Sequence, residues 1–262
     1  MKIFSFIENR SRRKSQKPLT KPAWYSLEGR GMLYDFINLL HPPYTVWHLS
    51  YVVIGIAMAP TIFINRSVAV IIAFFLGLGI GAHALDETMG NPLQTRISKS
   101  KLYAIGFTAI LAAVGIGLYY TITISFLLLP FIIIETFFAV AYNLEMFNKK
   151  FHTGLVFSLS WGAIPFLMGY FVNSLSFSFP VIVMAAFAGL LTFVQRTLSN
   201  QTRFVRRRIL PVDGLKLSSG SLFPISSKEL ISPAEKSLKA LNVMIVVLAF
   251  ALLLERYMGF TL

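Results

Sequence analysis

The sequence contains no cysteine, which excludes disulfide bonds and thiolate chemistry. It is also poor in charge, since only 13% of its 262 residues are Asp, Glu, Lys or Arg. Globular proteins carry roughly 25%, and a soluble domain of this length needs more polar surface than this chain offers. Because 55% of the residues are hydrophobic, the composition excludes an ordinary soluble enzyme and indicates a polytopic membrane protein.

Acidic residues are the scarcer charged class, with 11 Asp and Glu against 24 Lys and Arg and a net charge of +13. In a soluble chain this balance would indicate nucleic-acid binding. Here the basic residues stand between apolar runs, which is typical of topology signals and of contacts with lipid headgroups, so we expect no nucleic-acid partner. The sequence also shows no P-loop, nucleophile elbow or zinc-finger spacing.

Seven apolar segments of about 20 residues each could cross a hydrocarbon core of roughly 30 Å as helices. We therefore predict an all-α, polytopic membrane bundle of about seven transmembrane helices over residues 42–262. A basic cytoplasmic tail ending in an interfacial helix should precede it, over residues 1–41, and residues 196–235 should form a cytoplasmic loop. The predicted spans lie near 45–64, 67–86, 102–121, 122–142, 153–173, 177–197 and 236–255.

The distribution of Lys and Arg predicts the orientation of this bundle. All of them except Arg66 and Arg256 fall in the N-terminal tail or in the loops on the same side of the predicted spans. Membrane proteins keep such basic segments in the cytoplasm. We expect an integral protein of the cell membrane whose N-terminus and polar loops are cytoplasmic.

The second predicted span ends in a group of residues suited to metal binding. His83, Asp86 and Glu87 are spaced i, i+3 and i+4, which places them on one face of a helix. Carboxylate oxygens suit Mg²⁺, whereas an imidazole suits a softer metal. The alternative interpretation is a polar helix end, in which neighbouring groups satisfy the imidazole and solvent surrounds the carboxylates.

Donors for an anion surround the same predicted membrane surface. Arg196, Asn200 and Arg203 follow a helical spacing at the end of the sixth span, and such a stripe suits a diphosphate or an acidic headgroup. Asn91 and Arg96 in the loop after the second span could add donors to phosphate oxygens. Lys149 could contribute from a third loop. The alternative is that these basic residues only set the topology.

Glu135 is the most isolated acid, in the middle of the fourth predicted span. Ionisable residues within a membrane are costly and need a structural or functional reason. Protonation, a polar neighbour and a position on a cavity wall all remain open for this side chain.

Three stretches, in order along the chain, resemble the UbiA family of intramembrane prenyltransferases over roughly residues 39–210. Leu39 to Pro43 opens the first span, where the family often has a short Arg-Pro motif, and residues 83–96 follow the second span, where it has its first Asp-rich motif. Residues 142–169 are similar to its fourth loop and fifth span. The chain departs from the family by keeping only Asp86 of the acids in the first motif and by having no second motif.

This resemblance implies a UbiA-like bundle that transfers a prenyl chain from a polyprenyl diphosphate to a lipid-soluble acceptor through an allylic cation. It implies that Asp86 and Glu87 are catalytic and that His83, Asp86 and Glu87 hold Mg²⁺. The implied diphosphate ligands are Asn91, Arg96, Lys149, Arg196, Asn200 and Arg203. The lost acids suit equally a non-catalytic protein that binds an isoprenoid or a phospholipid, and a small transporter is a third alternative.

Overall fold

A computed structural model of the chain describes residues 23–29, 31–208, 215–216, 218–223 and 227–258. These residues form eight helices and a short antiparallel strand pair. The helices are α1 (Met32–Leu39), α2 (Pro42–Met58), α3 (Ile64–Thr88), α4 (Lys99–Thr123), α5 (Phe126–Asn143), α6 (Gly154–Ser174), α7 (Phe179–Arg208) and α8 (Ser227–Met258). The strands are β1 (Leu215–Lys216) and β2 (Leu222–Phe223), between α7 and α8. Residues 1–22 of the predicted basic tail lie outside the described residues.

The predicted all-α membrane bundle is confirmed. Six helices, α3 to α8, are long and apolar enough to cross a membrane. The remaining predicted span corresponds to α2, which has 17 residues and therefore reaches about 25 Å, near the short limit for a spanning helix. The molecule has the helices that an integral membrane protein requires.

The helices alternate in direction, which gives the bundle two distinct ends. The polar end is the one at which α2, α4, α6 and α8 begin and α3, α5 and α7 finish. The segment before Pro42, in which an interfacial helix was predicted, contains a helix at this end, α1, over the eight residues Met32–Leu39. Met32 and Leu33 on α1 are exposed, as suits a helix that lies on a bilayer surface.

The 196–235 stretch differs from the predicted loop because helix occupies both of its ends. α7 continues to Arg208 and α8 already begins at Ser227. Arg, Gln and Lys are good helix formers, so an existing helix continues through them after the apolar run has ended. Arg206 of α7 forms an ion pair with Glu235 of α8, which joins these two polar extensions.

The connection between α4 and α5 is only two residues long, consistent with the predicted boundary near residue 121. Ser125 has an extended backbone, and its hydroxyl oxygen accepts a hydrogen bond from the Leu127 amide at 3.3 Å. This side-chain cap begins the next helix immediately. A helical hairpin therefore forms without a conventional loop.

α2 and α6 pack so closely that their backbones touch. Gly55 of α2 faces the carbonyl of Phe166, and Gly169 of α6 faces the carbonyl of Val52. A Cβ atom at either glycine would overlap the facing oxygen, which is the small-residue packing that membrane helices use. α6 is also the most buried spanning helix, with 78% of its apolar window inside the protein against 17% for α8. α6 is therefore central and α8 is peripheral.

Candidate functional site

A pocket opens at the polar end, between the start of α2, the end of α3, the segment before α6 and the polar half of α7. It encloses about 820 Å³ including its mouth, and we call it the polar pocket. Much of its wall is aromatic, from Trp24, Tyr25, Tyr44, Tyr142, Phe157 and Trp161. Its charged and imidazole-bearing lining residues are His41, His83, Asp86, His152, Arg196, Arg203 and Arg206. Arginines outnumber carboxylates in this lining, so the pocket suits an anion.

Arg196 is the central cation of the polar pocket. Its side chain is buried, its Nη1 atom donates to the Tyr142 hydroxyl, and its Cζ atom lies 4.7 Å from the centre of the Phe157 ring. Among the described residues, no carboxylate lies within ion-pair distance of this guanidinium. Aromatic rings hold the cation in place without neutralising it. Asp86 in the same pocket offsets this charge only from beyond ion-pair distance. A buried charge is costly unless it is closely paired, so an anionic ligand would complete the environment of Arg196.

The other residues of the predicted stripe on α7 have different positions relative to the pocket. Arg203 lines the polar pocket, and its Nη2 atom donates to the Asn200 side-chain oxygen at 2.6 Å. Asn200 itself is exposed and outside the pocket lining, so it positions Arg203 and does not face a ligand. Arg206 also borders the pocket, but Glu235 partly compensates its charge. Arg196 and Arg203 are therefore the two predicted residues that α7 brings together.

Sequence reasoning missed Gln195, which lines the polar pocket beside Arg196. Its side chain is fully buried, and neither its amide nitrogen nor its amide oxygen has a hydrogen-bond partner among the described residues. Buried amides are normally paired, because an unsatisfied donor or acceptor costs about 1–3 kcal/mol. A ligand with donors or acceptors in the polar pocket would satisfy this amide. Its position next to Arg196, at the end of an apolar run, was the available signal.

His152 is a second pocket residue that the candidate set lacked. Its ring stacks on Tyr142 at 4.3 Å between centres, and its Nδ1 atom lies 3.0 Å from the Tyr142 carbonyl oxygen. Burial lowers the pKa of His152 below its ordinary value, while the nearby carboxylates of Asp86 and Glu145 partly oppose this shift. The imidazole therefore favours its neutral form in the folded protein.

Glu87 supports the loop after α3 and does not face the polar pocket. Its carboxylate is buried and accepts hydrogen bonds from the backbone amides of Leu93 and Thr95, both at 3.0 Å. His83 stacks on His41 at 4.4 Å, with its Nδ1 atom 3.1 Å from the Gly79 carbonyl oxygen. Within the described residues, no group of three His, Asp or Glu side chains could hold a metal ion. The joint metal set of His83, Asp86 and Glu87 is thus not assembled, because Glu87 is committed to loop amides.

Asp86 is the one carboxylate in the described lining of the polar pocket. Mg²⁺ in proteins is often held by one or two carboxylates together with phosphate oxygens of a substrate. The residues present therefore fit Mg²⁺ only if a phosphate-bearing ligand supplies further oxygens.

Three other predicted diphosphate ligands lie outside this lining. Asn91 donates from its side chain to the Thr95 carbonyl at 3.2 Å and so shapes the loop. The Arg96 side chain is exposed, and Lys149 pairs with Glu145 at 2.8 Å. Spacing along the chain could not reveal these orientations, since they depend on how each loop turns.

A second cavity opens between α3, α4, α5 and α6, and we call it the lateral cleft. It encloses about 780 Å³ including its mouth and is almost entirely apolar, with Val70, Leu78, Ala113, Ile132, Ala139 and Met168 among its lining residues. Glu135 of α5 also lines it. Leu78 and Ala139 belong to the same buried cluster as Tyr142 and Trp161 of the polar pocket. The two cavities are therefore neighbours that share one wall of packed side chains.

The polar pocket and the lateral cleft together place a cationic recess beside an apolar one. Such a pair matches an amphiphile with an anionic head and a hydrocarbon chain. Compared with known proteins, the chain matches no protein-family model, no curated protein and no solved structure.

Proposed function

We propose that the protein is an integral membrane prenyltransferase that binds the head of a polyprenyl diphosphate in the polar pocket. The observation that carries this proposal is Arg196, a buried cation held by aromatic rings that forms no ion pair within 4 Å among the described residues and has only the more distant Asp86 as a carboxylate neighbour. A diphosphate is a polyanion, and guanidinium groups bind phosphate oxygens through charge-assisted hydrogen bonds. The unpartnered Gln195 amide adds a neutral donor beside that cation.

The reaction requires the bond between the prenyl carbon and the diphosphate oxygen to break. The electron pair leaves with the diphosphate, and the lipid-soluble acceptor attacks the resulting allylic cation and loses a proton. Arg196 and Arg203 would stabilise the negative charge that develops on the leaving group. The released diphosphate is itself basic and can take up the acceptor's proton. When bound, Mg²⁺ would be held by Asp86 and diphosphate oxygens and would add positive charge at the leaving group.

The polar end is proposed to face the cytoplasm. It carries Arg196, Arg203 and Arg206, whereas Arg66 and Arg256 lie at the opposite end, and basic segments of membrane proteins stay on the cytoplasmic side. The diphosphate would then enter the polar pocket from the cytoplasmic leaflet of the cell membrane.

A second candidate function is binding of an isoprenoid or phospholipid without catalysis. Glu87 favours it, because loop amides occupy the carboxylate that the family resemblance assigns to catalysis. In that case the polar pocket holds the phosphate head and no bond to it breaks.

Calorimetric titration of the purified chain in detergent with geranylgeranyl diphosphate, with and without Mg²⁺, tests the binding step. Arg196→Gln should weaken binding by about tenfold or more, because a hydrogen bond to a charged group contributes about 1.5–3 kcal/mol. Lys101→Gln is the matched control, since it removes one exposed positive charge at the same end outside the pocket. No binding of geranylgeranyl diphosphate by the wild type would contradict the transferase. Wild-type affinity in Arg196→Gln would contradict the assignment of the phosphate head to the polar pocket.

Release of diphosphate separates the two candidates. The wild type is incubated with geranylgeranyl diphosphate and a membrane lipid extract as the source of acceptor, and the released diphosphate is measured. Release that is lost in Asp86→Asn supports the transferase. Binding with no release supports the second candidate.

A further inference from the structure

The lateral cleft contains one polar feature that the proposed function does not use. Both carboxyl oxygens of Glu135 are buried, and neither has a hydrogen-bond partner among the described residues. The Ser160 hydroxyl of α6 lies beside this carboxyl, but it too lacks a hydrogen bond of acceptable geometry. Glu135 therefore presents an unsatisfied carboxyl to the apolar cleft within the spanning part of the bundle, and Ser160 lies beside it outside the cleft lining.

The surroundings of Glu135 disfavour a highly charged ligand. Ile132, Thr136, Ala139 and Met168 also line the cleft, and its one described cation, Arg66 at the start of α3, already donates to the Val172 carbonyl. The lining residues of α3 run from Arg66 to Leu78, a rise of about 18 Å. The cleft is therefore long enough for an extended hydrocarbon body, with Glu135 in its wall.

A hydroxyl group fits this arrangement better than other polar groups. It donates to an ionised carboxylate, and it both donates to and accepts from a protonated one, so it pairs with Glu135 in either state. A neutral ligand also avoids the cost of carrying a charge into the membrane interior.

We propose that the lateral cleft binds a neutral lipid-soluble alcohol whose hydroxyl pairs with the carboxyl of Glu135 and whose hydrocarbon chain lies along α3 and α5. This inference does not depend on prenyl transfer or on the polar pocket. An unsatisfied polar group in a low-dielectric site gains more free energy from a hydrogen-bond partner than an exposed group does. The ligand's hydroxyl therefore adds affinity beyond the partitioning of its hydrocarbon chain.

Two photoactivatable probes test this site on the full chain in lipid nanodiscs. One is hexadecanol with a diazirine in its chain, and the other is its methyl ether, which keeps the chain and cannot donate. Covalent adducts are mapped by mass spectrometry. The alcohol should label cleft peptides of α3 and α5 about tenfold more than the ether, as expected for a buried hydrogen bond to a carboxyl group. Equal labelling by the two probes would overturn the proposal.

Matched variants locate the labelling. Ala113→Phe fills the cleft, whereas Ala112→Phe adds the same ring to an exposed position on α4 outside the lining. Labelling by the alcohol should fall in Ala113→Phe and persist in Ala112→Phe. Glu135→Leu should reduce labelling by the alcohol to the level of the ether. Thermal unfolding shows whether each variant is folded. Unchanged labelling by the alcohol in Ala113→Phe, or in folded Glu135→Leu, would also overturn the proposal. The comparison of the two probes on the wild type does not depend on any variant.

Discussion

At the scale of single residues, the polar pocket combines groups that a ligand-free fold would avoid. Arg196 is a buried cation beside aromatic rings, and Gln195 is a buried amide with no partner among the described residues. Both arrangements cost folding free energy in the absence of a ligand. A substitution at such a residue can therefore raise the stability of the protein while it weakens ligand binding.

Gln195→Met should change the stability of the protein and its affinity for the ligand in opposite directions. The substitution replaces the unsatisfied amide with an apolar side chain of similar shape, which should raise the free energy of unfolding by about 1 kcal/mol. The same change should weaken geranylgeranyl diphosphate binding, because a neutral donor is lost from the pocket. Thermal unfolding in detergent and calorimetric titration measure the two effects. A variant that is less stable than the wild type would show that the amide has an intramolecular partner.

His152 makes binding in the polar pocket depend on pH. Burial lowers its pKa below the ordinary value of 6.5, so the imidazole is neutral at pH 7 and gains its charge as the pH falls through that lowered pKa. The added positive charge should strengthen the binding of inorganic pyrophosphate. Pyrophosphate affinity is measured by calorimetric titration at pH 8 and pH 5 for the wild type and for His152→Gln. The ionisation of pyrophosphate affects both proteins equally, so the difference between them reports His152. Parallel pH profiles for the two proteins would contradict this role.

The same shift predicts the opposite trend for stability. His152 binds a proton more readily in the unfolded state than in the folded state. Its contribution to the free energy of unfolding is therefore fully present above the pKa of the unfolded state, and it is lost as the pH falls through the lower pKa of the folded state. Acid should therefore destabilise the wild type more than His152→Gln.

At the scale of helices, the contact between α2 and α6 fixes the centre of the bundle. Gly55 and Gly169 each face a carbonyl oxygen of the other helix. This contact holds the start of α2 against α6, and both helices contribute walls to the polar pocket. Loss of the contact should therefore affect both folding and binding.

Gly169→Val tests this contact. The new side chain would overlap the Val52 carbonyl, and overpacking of this kind costs about 1–3 kcal/mol. Gly115→Val is the matched control, since a Cβ atom at Gly115 of α4 meets nothing within 4 Å. The melting temperature in detergent should fall in the first variant and change little in the second. Similar melting temperatures for both variants would show that the helices can separate without cost.

The positions of the helices were largely predictable from the sequence, whereas the directions in which individual side chains point were not. Apolar runs gave the spans, and the stripe of Arg196 and Arg203 was readable because α7 stays helical to Arg208. That extension was missed, since a hydropathy pattern ends with the apolar residues while the helix does not. The commitment of Glu87 to the amides of Leu93 and Thr95 depends on the path of the following loop. No spacing along one helix carries that information.

At the scale of the whole molecule, the natural absence of cysteine makes the proposed orientation directly testable. Ser100→Cys places one thiol at the exposed polar end, and Ser176→Cys places one in the exposed connection at the opposite end. In intact cells, a membrane-impermeant maleimide should label Ser176→Cys and not Ser100→Cys. Both should react after the membrane is opened with detergent. Labelling of Ser100→Cys in intact cells would reverse the proposed topology.

The reciprocal glycine contact also constrains how such a chain can change over evolutionary time. Gly55 and Gly169 each lie against a carbonyl of the opposite helix, three positions from that helix's own glycine, at Val52 and Phe166. Enlarging one glycine alone pushes apart the backbones that the other one requires to be close. Divergent descendants should therefore retain small residues at both positions together, even where the residues of the polar pocket have been replaced. A pair of small residues, one on α2 and one on α6 with three spans between them, would then identify related chains even after their ligand has changed.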